Sequence, residues 1–131
     1  MFDSQTMQIQ GTTATDLFSP WFPRGGDYGI FTMEMTSKGA SAGTLTLTAR
    51  LYHKNAAETG DGTEVPGAIS SLALSSTGRT FFDYKNGGGT TPFFQGFKEL
   101  VRYKFSLTGS GTTNTSWVTF RMLPVTWYDK V

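Results

Sequence analysis

Residues 44–53, Thr44-Leu45-Thr46-Leu47-Thr48-Ala49-Arg50-Leu51-Tyr52-His53, alternate polar and apolar side chains almost without error. Successive side chains of a strand point to opposite faces, so Leu45, Leu47, Ala49 and Leu51 are expected to line a core. Thr44, Thr46, Thr48 and Arg50 then face outward. A second run repeats the device, with Phe97, Val101, Tyr103, Phe105 and Leu107 on one face and Lys98, Arg102, Lys104, Ser106 and Thr108 on the other. Runs of this kind build half-buried antiparallel sheets, one face on the core and one in water.

The composition agrees with that reading. Among 131 residues there are 11 Phe, 16 Gly and only 16% charged side chains. Threonine and phenylalanine suit a pleated, half-buried surface, and glycine suits the turns between strands. No window repeats apolar residues at i, i+3, i+4 and i+7 over three turns, so helix is expected below about 10%. The length fits a single domain. Eleven basic and 10 acidic residues leave a net charge of +1, without the basic excess that neutralises phosphates, so nucleic acid is not an expected partner. The absence of cysteine excludes disulfides, thiolate nucleophiles and cysteine-ligated zinc. Residues Met1 to Gln8 carry neither a basic nor an apolar segment, so no signal peptide is expected. No apolar run reaches the ~20 residues that cross a bilayer, so no membrane partner is expected either.

Along the chain, residues 1–16 are polar and form an N-terminal arm or edge strand, with Met7 and Ile9 marking a short strand. Residues 17–131 form the β-sandwich domain. A loop with two prolines and three glycines covers 17–29, and strands follow at about 29–36, 44–53, 69–75, 79–84 and 97–108. Residues 54–67 are expected to be a long loop. A last strand buries Val118, Phe120 and Met122, breaks at Pro124 and resumes at Val125 to Tyr128. Seven to nine strands at hairpin spacing predict an antiparallel β-sandwich, jelly-roll-like.

The motifs that could carry chemistry all have simpler explanations. Gly39-Ala40-Ser41-Ala42-Gly43 matches a nucleophile elbow, but that elbow joins a strand to a helix, and here a strand follows. His53 is the only histidine, in phase with the inward face, so a structural role is expected of it. Glu58, Asp61 and Glu64 fall in one loop without EF-hand spacing. The basic side of 97–108 lacks aromatics in its own phase, as a stacking surface for bases would need. No catalytic, cofactor or metal residues are therefore assigned, and no enzyme is expected.

The aromatic loops are harder to explain. Trp21 and Phe22 sit between two prolines, and Phe93 and Phe94 follow a triple glycine and a proline. Adjacent aromatics on an extended chain cannot both turn inward, so one of each pair is expected to be exposed or covered by a partner. Phe2, Trp21, Phe22, Phe93 and Phe94 are the expected interface.

In its arm Met1 to Thr15, its aromatic loops at 17–29 and 92–97 and its threonine-rich strands, the chain resembles the capsid decoration (cement) proteins of tailed bacteriophages. The resemblance spans the whole chain in style and rests on no single motif. It implies a structural virion protein on the capsid surface, assembled in the host cytoplasm. Its partners would be the major capsid protein and copies of itself, as a trimer or dimer. The alternatives are a carbohydrate-binding β-sandwich using Trp21, Trp117 or Trp127, or another phage component of the tail or connector.

Overall fold

The computed structural model describes residues 4–10, 14–39, 44–73, 78–84, 97–110 and 115–129. Ten strands follow in order: β1 (Gln5–Gln10), β2 (Thr15–Phe18), β3 (Phe22–Pro23), β4 (Tyr28–Gly39), β5 (Thr44–Lys54), β6 (Thr63–Ala73), β7 (Gly78–Tyr84), β8 (Leu100–Ser110), β9 (Thr115–Met122) and β10 (Thr126–Tyr128). No helix occurs among the described residues.

The strands form two antiparallel sheets packed against each other, a β-sandwich. In the first, β9 lies between β1 and β4, and β4 also pairs with β10 and β7. Here β9 and β10 run end to end along β4, joined through Leu123, whose N–H donates to Thr32 O at 2.9 Å. In the second, the order is β2-β8-β5-β6, with β3 continuing the path of β2 along β8.

The inward phase of the strands supplies the core. Leu45, Leu47, Ala49 and Leu51 of β5 meet Val101, Tyr103, Phe105 and Leu107 of β8, and across the sandwich lie Phe31, Met33, Met35, Val118, Phe120 and Met122. All are buried, as the alternation predicts. Phe105 and Phe120 pack across the two sheets with ring centroids 4.6 Å apart and planes tilted by 56°.

Several boundaries differ from the sequence reading. The loop expected over 17–29 holds the end of β2, all of β3 and the start of β4, which runs on to Gly39. The loop expected over 54–67 ends at Gly62, because β6 begins at Thr63 and carries Pro66 and Gly67 within it. Proline is tolerated on an edge strand, and these residues fall where the β5–β6 register shifts, between the pairs Tyr52–Glu64 and Arg50–Ile69. The strand expected from residue 97 begins at Leu100. Phe97 is still buried, but it is held by other bonds: its N–H donates to Asp27 O at 3.0 Å, and Arg24 Nη1 donates to its carbonyl.

Residues Gln5–Gln10, within the expected arm, pair along their length with β9 and form the edge of their own sheet.

Candidate functional site

Two proline-containing interruptions shape a cleft in the described surface. The first lies between β2 and β3. Phe18 ends its pairing with β8, and Ser19 then clamps the chain from both sides. Its N–H donates to Tyr103 O at 3.0 Å, and its Oγ accepts the Tyr103 N–H at 2.8 Å. Pro20 has no N–H to continue the ladder, so pairing resumes only at Phe22 and Pro23. The second interruption, Leu123-Pro124-Val125, separates β9 from β10. The two breaks open on one cleft of about 450 Å³, lined by Pro20 to Pro23 from one sheet, by Leu123 to Val125 and Trp127 from the other, and by Ser19 and Tyr103.

The side chains lining this cleft are apolar, aromatic or proline apart from Ser19, and none is a carboxylate, imidazole or amine. The Tyr103 phenol is pushed well above its usual range by burial, so it stays neutral. The cleft can bind apolar surface; its lining offers no group poised for proton transfer near neutral pH.

The expected interface residues separate as the extended backbone requires. Phe22 turns inward, packs against the core and sits 5.4 Å from the Tyr103 ring. Trp21 turns outward and lies beneath two cations, with the Arg102 guanidinium 4.6 Å and the Lys54 ammonium 4.8 Å from its ring. Phe2, Phe93 and Phe94 lie outside the described residues.

Beside the cleft, the outer face of the second sheet carries a cluster that single-strand periodicity does not show. Tyr103 and Phe105 point inward, as expected of their phase. However, Phe18 from β2, Trp21 and Tyr52 from β5 stand on the same outer face as Arg102 and Lys104. Arg102 lies 4.3 Å from the Phe18 ring, and Lys104 lies 5.6 Å from it. Phe18 remains 42% exposed. The Arg102 side chain is only 11% exposed, and its Nε has no hydrogen-bond partner among the described residues. Ring contacts with Phe18 and Trp21 therefore help to hold this guanidinium, beside the bonds its Nη2 donates to Asp61 O and Oδ1 at 3.2 Å.

Carboxylates of the 55–64 segment and Asp16 pair with cations of β5, β8 and the segment before β8. Glu58 pairs with Lys98 at 3.4 Å, Asp61 with Arg102 at 3.2 Å and Glu64 with Arg50 at 3.9 Å, while Asp16 reaches Lys104 at 3.8 Å. Among the described residues no three His, Cys, Asp or Glu side chains converge as a metal site would require. Glu58 also accepts the Asn55 N–H at 3.2 Å, which holds its carboxyl below the usual range, helped by Lys98.

His53 packs inside the sandwich, edge-on to Phe97 with centroids 6.4 Å apart. Its Nδ1 accepts the Lys98 N–H at 3.3 Å, which ties β5 to the segment leading into β8. Trp127 likewise packs on Phe31 and Phe97, with centroids 5.7 and 5.9 Å away. Trp117 is 37% exposed on β9, and its indole lies so close over Gly39 that any Cβ there would meet it at 2.3 Å.

No family model, curated protein or solved structure matches this chain.

Proposed function

We propose that this protein is a structural virion component, a capsid decoration protein that sits at junctions between major capsid subunits and strengthens the shell. The strand order carries the reading. If β2 and β3 count as one path and β9 and β10 as another, the first sheet runs in path order one, eight, three, six, and the second two, seven, four, five. Among the described strands only β5 and β6 are consecutive neighbours within a sheet, and every other pair of consecutive paths lies in opposite sheets. We read that interleaving as jelly-roll-like, an architecture used by viral capsid and lectin domains.

Fold alone does not choose between those two uses, and the tryptophans favour the first. A sugar platform needs open, solvent-facing rings in the free protein. Here Trp21 is covered by Arg102 and Lys54, Trp127 packs on the core, and Trp117 stands on the other sheet. The aromatic and proline lining of the cleft suits burial against another protein, where such anchors typically contribute about 2 kcal/mol or more each. Many copies at equivalent positions would then reinforce a shell through multivalency.

Cryo-microscopy of particles from the native source tests the proposal: density for this chain should occupy regular positions on the shell lattice. A Trp21→Ala variant that keeps its thermal melt should lose occupancy. Shells lacking the chain would overturn the proposal, as would a monomer that binds a polysaccharide through Trp21 on a glycan array.

A further inference from the structure

Among the described strands four paths lie at the sheet edges, and three of them carry charges or prolines in their sequence. The β2–β3 path is short, carries Asp16 and is broken at Pro20. The β6 edge holds Glu64 and Pro66 and is irregular in register. The β7 edge contains Arg79 and Asp83. Charges, prolines and bulges are the usual protections against edge-to-edge pairing.

The β1 edge has none of them. Its six residues, Gln5-Thr6-Met7-Gln8-Ile9-Gln10, contain no charge and no proline, and they keep unbroken register with β9 from Gln5–Phe120 to Gln10–Thr115. Among the described residues no strand pairs with the other side of β1. Met7 is buried beneath the sheet while Thr6 and Gln8 are exposed on its outer face.

We infer that the β1 edge is a self-association site, at which β1 of a second copy of this chain pairs antiparallel across a two-fold axis. A second copy fits because the strand is self-complementary. Antiparallel partners must present like faces, so symmetric pairing sets Gln8 opposite Gln8, or Thr6 opposite Gln8, and buried Met7 stays on the core side. These outward pairs are uncharged amides and hydroxyls that can hydrogen-bond across the strands. A net charge of +1 per copy adds almost no long-range repulsion. The two copies then share one continuous sheet through their β1 strands.

This inference deepens the self-assembly part of the proposed function and rests on it. The test needs no shell, so the two can fail separately. The parent should sediment as a concentration-dependent dimer in analytical ultracentrifugation. A Thr6→Lys, Gln8→Lys double variant, with its fold checked by circular dichroism, should be a monomer, because its lysines would face each other across the axis. The protein has no cysteine of its own, so Gln8→Cys and a mixture of Thr6→Cys with Gln8→Cys report the register directly by disulfide capture. A Thr46→Cys control on the middle strand β5 should stay uncrosslinked. A parent that remains monomeric at high concentration overturns the inference. So does a dimer that the lysine pair leaves intact, or one that neither β1 cysteine captures above the control.

Discussion

At the scale of single residues, the inward phase of β5 and β8 supplies one wall of the core. Leu47 is fully buried between the sheets, so Leu47→Ala removes its burial and leaves a cavity. That change should cost about 2–5 kcal/mol in urea denaturation, while Thr46→Ala on the outer face should cost well under half as much. Equal costs for the two would contradict the assignment of faces. His53 gives a second expectation. Burial holds its pKa below the ordinary 6.5, Lys98 lowers it further, and Glu58 partly opposes both. The unfolded chain therefore binds a proton more readily than the folded one as pH falls. The stability this neutral imidazole contributes is fully present above pH ~6.5 and declines as pH drops from there toward the lowered value. A His53→Gln variant should lose less stability than the parent between pH 8 and pH 5. A parent curve no steeper than the variant's would remove His53 as the cause.

Elements were legible in the sequence where a long run alternates, because period two then fixes every side chain. The start of β6 was missed although Val65 is fully buried, because Pro66 and Gly67 break its run. The whole inward phase of β5 and β8 follows from alternation alone, and so do Phe31, Met33 and Met35 of β4. The outer-face cluster was not legible, since Phe18, Trp21 and Arg102 come together only through the pairing of β2, β5 and β8. A strand's own pattern says nothing of which neighbour supplies the ring. Tyr52 was the available hint, an aromatic in the outward phase between Leu51 and His53. The turn between β5 and β6 offers a test at this scale. Gly60 and Gly62 both have positive φ, 91° and 75°. A Cβ on Gly60 meets nothing within 4 Å, whereas one on Gly62 would lie 2.7 Å from His53 O and 2.8 Å from the Trp21 ring. Gly60→Ala should cost about 1 kcal/mol from backbone strain alone. Gly62→Ala should cost clearly more and shift the tryptophan fluorescence, because the Trp21 ring must move. Similar costs and unchanged emission would mean that this turn does not position Trp21.

For the whole molecule, the interleaving of the strands has a consequence for how the chain comes to be folded. Among the described strands only β5 and β6 form a neighbouring hairpin that can close early. The β1 and β4 strands wait for β9 to come between them, and β2 and β5 wait for β8. Contacts so distant in sequence make for slow folding, in the millisecond-to-second range. Stopped-flow refolding should fall there, and a microsecond phase that recovers full tryptophan burial would exclude this order of events. During synthesis at ~5–20 residues per second, neither sheet can be completed until the strands nearest the C-terminal end leave the ribosome. The apolar faces of β4 and β5 therefore stand open for seconds, and a nascent chain stalled before residue 115 would be a substrate for chaperones rather than a smaller version of the domain.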